Sequence, residues 1–206
     1  MTWLQVLQDI GAIANDPDLT SLKDRAKFHF AKAFSDVVMS GEYTQNDIPG
    51  YFKLQTDLAF ATNPVNLSSK QILKIDKIFL NPTSDSTTTS KFVSVKPIED
   101  IIQMSSNPLM KPGKQDVFMY RVGNDLHAIT LDGSTTPAGA GDRKSTINLD
   151  QSGADQFYMY YIEDFDYAAF EDDYELNEGS SRSLSFAFTR KLISMAGAAL
   201  IAEDAQ

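Results

Sequence analysis

Asp116-Val-Phe-Met-Tyr-Arg-Val-Gly123-Asn-Asp-Leu-His-Ala-Ile-Thr130 is the stretch that decides the fold. Two runs rich in β-branched and aromatic residues, Asp116 to Val122 and Leu126 to Leu131, flank Gly123-Asn124-Asp125, residue types that accept the positive φ of a tight turn. The pattern predicts a β-hairpin. Upstream, Ile72, Leu73, Ile75, Ile78, Phe79 and Leu80 form a dense run closed by Asn81-Pro82, which predicts a strand, although the Lys70, Lys74, Lys77 spacing also suits a helix. Lys91 to Val95 reads as a short strand. Pro97 then opens a short helix from Lys96 to Met104, with Glu99 and Asp100 near its positive end. Downstream, Ser145 to Leu149 and Gln156 to Ile162 are two further strand candidates. The centre of the chain is therefore expected to be a mostly antiparallel sheet of about five strands.

Helices flank this centre. Thr2 can cap a first helix with Gln5 three residues on, and Trp3, Val6, Leu7, Ile10 and Ala14 recur at helical spacing until Asp16-Pro17. A second helix starts at Thr20 or Ser21, carries Ala26, Phe30, Ala33, Phe34, Val37 and Val38 on one stripe, and ends before Gly41. Tyr51, Leu54, Leu58 and Phe60 or Ala61 suggest a third, stopped at Asn63-Pro64. A last helix, capped by Ser180 or Ser181, shows Leu184, Ala187, Phe188, Leu192, Met195, Ala196 and Ala199 on one face and Phe186, Ile193 and Leu200 on another. Apolar residues on two faces imply a deeply buried or shared helix, and Ala196-Gly197-Ala198-Ala199 permits close backbone approach. The fold class is α+β, in four parts: a helical region 1–66, a β-rich region 67–162, an acidic-aromatic connector 163–179 and a C-terminal helix 180–206.

At 206 residues the chain can bury a real core, and 42% hydrophobic residues suit a globular protein. No run of about 18 apolar residues is present, and Met1-Thr-Trp-Leu-Gln-Val-Leu-Gln-Asp lacks a basic leader, so neither membrane nor export is expected. The absence of cysteine removes disulfides, thiolate metal sites and thiol nucleophiles. A net charge of −10 with scattered Lys and Arg works against wrapping nucleic acid, whereas an acidic wall would let it slide past. The polar stretches 83–90 and 132–144 are expected to be loops, ordered only by a partner.

Catalytic inventory is sparse. Gly139-Ala-Gly141-Asp-Arg-Lys144-Ser145-Thr146 invites a phosphate-loop reading, but Arg143 and Ala138 stand where that pattern needs Gly. The dinucleotide version fails at Lys144. The two histidines, His29 and His127, lack ligand spacing, and no Gly-x-Ser-x-Gly elbow is present. The chain is expected to be no enzyme and to hold no metal or cofactor. From Glu163 to Glu178 there are eight acidic residues and no basic one, interleaved with Phe165, Tyr167, Phe170 and Tyr174. Asp172-Asp173 and Glu163-Asp164 do not match a calcium loop. The commonest role for such a stretch is a solvated connector; its rings suggest a docking strip.

The succession from about Asp76 to Asp166, with Val95-Lys-Pro97-Ile-Glu-Asp-Ile-Ile, Asn107-Pro108, the Gly123 hairpin and Phe157-Tyr-Met-Tyr-Tyr-Ile162, resembles the β-region of head-to-tail connector proteins of tailed bacteriophages, also called adaptor or neck ring proteins. Such proteins combine N-terminal helices, an inserted β-domain and a C-terminal segment that often docks on the portal ring. The resemblance implies a virion protein, assembled in the host cytoplasm, forming a homo-oligomeric ring of about a dozen copies. It also implies contacts with the portal protein and an adjacent tail or neck protein, with DNA only as non-specific channel cargo. Expected docking residues are Phe186, Phe188, Leu192, Ile193 and Leu200, then Phe165, Tyr167 and Phe170. The alternatives are a carbohydrate- or protein-binding β-module using Tyr158, Tyr160 and Tyr161, and a metal-dependent hydrolase using Asp172 and Asp173.

Overall fold

The computed structural model describes residues 1–58, 64–82, 91–106, 118–129, 155–166, 170–177 and 183–205. The chain divides into two compact units, a helical unit of Met1–Lys53 with Ile162–Gln206 and a β-unit of Leu54–Tyr161.

In the helical unit, α1 (Trp3–Ala14) opens on a reciprocal cap. The Thr2 hydroxyl accepts the Gln5 N–H, and the Gln5 side-chain carbonyl accepts the Thr2 N–H at 2.9 Å. Trp3, Val6, Leu7 and Ile10 are buried. Asn15 ends the helix in the left-handed region at φ 56°. The next helix, α2 (Leu19–Ser40), begins one residue ahead of the expected start, because the Asp18 carboxylate accepts the Thr20 and Ser21 N–H groups. It ends at Gly41, whose φ of 80° is strained for residues with a Cβ. Its expected stripe is buried as a set.

The closing helix, α4 (Phe186–Asp204), starts at Ser185, not at Ser180 or Ser181. Tertiary contacts select that serine: its N–H donates to the Asp47 carbonyl at 2.8 Å, and its hydroxyl accepts the Phe188 N–H. Two apolar lines on α4 have two hosts, since the helix packs on both α1 and α2. The close approach expected at Ala196 to Ala199 is present at Gly197, where a Cβ would lie 2.5 Å from Ile13 Cγ2.

Among the described residues of the β-unit and its margins, seven strands form one mixed sheet, in the order β1-β7-β3-β4-β5-β6-β2. They are β1 (Phe52–Leu58), β2 (Val65–Asn66), β3 (Ile72–Pro82), β4 (Lys91–Val95), β5 (Phe118–Val122), β6 (Asp125–Ile129) and β7 (Asp155–Glu163). α3 (Ile98–Ser106) follows β4, and the Ile101 N–H bonds to the Pro97 carbonyl. The sheet has more strands than expected, and β4 pairs with β5 in parallel while β3–β4, β5–β6 and β2–β6 are antiparallel. The hairpin is as read: Val122 faces Asp125 across Gly123, whose φ is +58°. The third helix expected from Tyr51 is instead β1. Leu54 and Leu58, four apart, satisfy both a helical turn and two strand repeats, and the residues between them do not decide. Loop 83–90, strand candidate 145–149 and loop 132–144 lie outside the described residues.

The β-unit core gathers Leu58, Leu67, Ile72, Ile78, Val93, Met119, Leu126, Ala128, Phe157, Met159 and Tyr161. Each large member contributes about 1.5–3 kcal/mol by leaving water.

Candidate interaction surfaces

Phe165 and Phe170 do not form an exposed docking strip. Phe165 is 5% and Phe170 1% exposed. The Phe165 ring stacks on Tyr51 at 5.4 Å, contacts Phe34 at 5.1 Å and Phe30 at 5.5 Å, and meets Phe170 edge-on at 4.9 Å. Phe170 in turn touches Trp3 and Tyr174. The acidic return segment is thus a structural strap: Phe165 and Phe170 fill the interior of the helical unit, while Asp164, Glu171, Asp172, Asp173 and Glu175 are exposed.

Backbone pairing fixes the strap's place. The Trp3 N–H donates to the Tyr174 carbonyl at 2.9 Å and the Leu176 N–H to the Met1 carbonyl at 3.0 Å. Lys23 Nζ bonds Asp172 at 2.7 Å, and Lys27 Nζ donates to the Phe170 carbonyl at 2.7 Å. The Asp172 carboxylate raises the Lys23 pKa from its ordinary value. Tyr167 lies outside the described residues. Asp164, Glu171 and Asp173 are exposed.

Of the α4 residues expected to dock, Phe188, Leu192, Ile193 and Leu200 are buried within the helical unit. Phe188 meets Phe34 edge-on at 6.3 Å. Phe186 alone of the five remains on the surface, 50% exposed, with the Arg190 guanidinium 4.7 Å over its ring. Sequence reasoning missed other exposed apolar residues of this unit: Phe28, Met39, Ile13 and Ile201. Phe28 and Met39 are three helical turns apart and so share one side of α2.

The far end of α4 is held by charge. Arg25 on α2 reaches Glu203 and Asp204, and His29 Nε2 lies 2.8 Å from Glu203. Carboxylates at a helix C-terminus oppose the macrodipole, and the cationic Arg25 offsets this. The hydrogen bond from His29 and then that from Arg25 hold the Glu203 carboxyl below its ordinary pKa. At the other end of α4, Asp47 is held low by hydrogen bonds from the Thr44 hydroxyl and backbone, then from the Ser185 hydroxyl.

The β-unit carries its own surface. Strand alternation places Ile78, Met119, Leu126, Ala128, Phe157 and Met159 inward, and therefore Phe79, Phe118, Tyr120, His127, Tyr158 and Tyr160 on the opposite face. All six are half-buried. Phe79 stacks on Tyr158 at 5.2 Å and on Tyr160 at 5.8 Å, and Tyr120 stacks on His127 at 4.5 Å. Lys77 Nζ lies 5.0 Å over the Tyr160 ring and Lys96 Nζ 5.5 Å over that of Phe118. Tyr161 belongs to the core, not to this face. The alternation within Phe157-Tyr-Met-Tyr-Tyr161 was the signal that separates these rings. A second exposed apolar group, Val95, Ile98, Ile102 and Val122, lies on β4, α3 and β5.

Among the described residues no group of three or more His, Asp or Glu side chains is placed to hold a metal ion. Asp172 is committed to Lys23. Among the described residues no helix is long and apolar enough to cross a membrane. No protein-family model matches the chain, and no curated protein matches it.

Proposed function

We propose that this chain is a structural virion protein, a subunit of a homo-oligomeric ring in the head-to-tail connector of a tailed bacteriophage, joining portal to tail components around a DNA channel. The observation that carries this reading is the insertion. Segments from both ends of the chain build one helical unit, and the whole of Leu54–Tyr161 is interposed as a β-unit. That is the plan the sequence resemblance implies. Exposed apolar residues on both units also fit a ring. Head-to-tail closure needs two different patches per subunit, and each unit exposes apolar side chains of its own, Phe28, Met39 and Phe186 on one and Ile98, Ile102 and Val122 on the other, beside whatever surfaces make the contact. A phage with a stop codon early in this reading frame should fill heads with DNA and fail to join tails. Normal tailed, infectious particles from that mutant would sink the proposal.

A second reading, a carbohydrate- or protein-binding β-module, draws on the ring face of β3 and β7. There the flat faces of Phe79, Tyr158 and Tyr160 are turned toward one another, which leaves less ring surface for a sugar to stack on. Binding by the monomeric chain on a glycan array would favour this module over the ring.

A further inference from the structure

We infer that the ring-bearing outer face of the β-unit is the docking surface for a second copy of this chain, which presents to it the carboxylates of its acidic strap. This rests on the ring reading above and names the surfaces that make it. Charge is divided unevenly along the sequence. The helical unit has 17 acidic against 8 basic residues, a net of −9, whereas the β-unit has 11 against 10, a net of −1. Two copies meeting helical unit to helical unit would bring like charges together. A contact between helical unit and β-unit avoids that repulsion, and its two patches differ, as a closed ring requires.

The chemistry of the two surfaces is complementary. On the β-unit, Lys77 and Lys96 lie over the rings of Tyr160 and Phe118, so each cation sits at the edge of half-buried aromatic surface. Aromatic residues are enriched at protein interfaces, and the two lysines beside them supply the charge that an acidic partner surface complements. On the strap, Asp164, Glu171 and Asp173 are exposed, while Phe165 and Phe170 beside them are buried and the Asp172 and Tyr174 carbonyls accept the Leu4 and Trp3 N–H groups. The carboxylates are therefore presented on a fixed frame, and ordering them on binding costs little entropy.

The test is sedimentation of the full-length chain at several salt concentrations. A self-associated species should form at low ionic strength and weaken as salt rises. The double variant Lys77→Glu with Lys96→Glu should weaken self-association at least about tenfold, as should Glu171→Lys with Asp173→Lys. Mixing the two variants should restore assembly to within about threefold of the parent, because the reversed charges face each other again. The neutral pair Lys77→Gln with Lys96→Gln, checked for an unchanged circular dichroism spectrum, guards against a reversal that fails to fold. Self-association that ignores all these changes, or a mixture that stays weak, overturns the inference, as does a chain that remains monomeric at millimolar concentration and low salt. Particles that hold the chain in a ring while the charge variants assemble normally would overturn this surface and leave the ring standing.

Discussion

Gly197 of α4 and Ile13 of α1 approach so closely that no side chain fits between them. A Cβ at 197 would sit 2.5 Å from Ile13 Cγ2 and 2.8 Å from Ile13 Cβ. In an open helix, Gly→Ala gains about 1 kcal/mol. Here the sign should reverse, because Ile13 is branched at the clashing atom and cannot swing away. Gly197→Ala is expected to destabilise the chain by about 1–3 kcal/mol, read as a lower urea midpoint. Adding Ile13→Ala removes Cγ2 but leaves Cβ, so it should recover only part of the loss. Full recovery, or a stabilising Gly197→Ala, would contradict the packing described.

The buried strap yields an outcome opposite to that of a surface strip. If Phe165 and Phe170 were docking rings, replacing them with Ser would leave the monomer folded. Because Phe165 packs on Tyr51, Phe34 and Phe30, Phe165→Ala is expected to cost about 3–5 kcal/mol of folding stability before any partner is present. Denaturant unfolding of the monomer checks this, and an unchanged midpoint would return Phe165 to the surface.

Asn177 is the polar clamp on the start of α4. Its side-chain amide donates to the Leu184 carbonyl and to the Thr189 hydroxyl, each at 2.9 Å. Thr189 is fully buried. Asn177→Ala should destabilise by about 1–3 kcal/mol and raise amide exchange in the first turn of α4. Exchange unaffected by the substitution would argue that Ser185 suffices as a cap.

Acid should loosen both ends of α4. Asp47 titrates below its ordinary 3.8 in the folded chain, chiefly because the Thr44 hydroxyl and N–H bind its ionised form. A carboxyl depressed by folding contributes stability that is fully present well above its unfolded pKa. That contribution is lost as pH falls through the lower, folded value. Glu203 follows the same sign from an ordinary 4.5, through His29 and Arg25. Thermal midpoints should therefore fall more steeply below about pH 3.8 in the parent than in Asp47→Asn. Parallel pH profiles would remove Asp47 from the account.

Elements whose signals are local were legible in the sequence. Thr2 with Gln5, Gly41 at the end of α2 and Gly123 in the hairpin each carry their own backbone instruction, and the structure follows them. Strand β1 was not legible, since a spacing of four between Leu54 and Leu58 serves two periods. The start of α4 was not either: several serines could cap it, and the choice of Ser185 is made by Asp47, distant in sequence. Phe165 and Phe170 were misplaced for the same reason. Their acidic neighbours signal surface, while the partners that bury them, Trp3, Phe34 and Tyr51, lie more than 100 positions away. On α4 only Phe186 of the five expected contacts is exposed, because a helix with two apolar faces is satisfied by α1 and α2 of its own chain.

The most direct test of the ring proposal is quantitative mass spectrometry of purified virus particles from a culture that produces this protein, with its copy number compared with that of the portal. The account predicts about one copy per portal subunit, as equal rings stacked on one axis require. Absence from particles would contradict it.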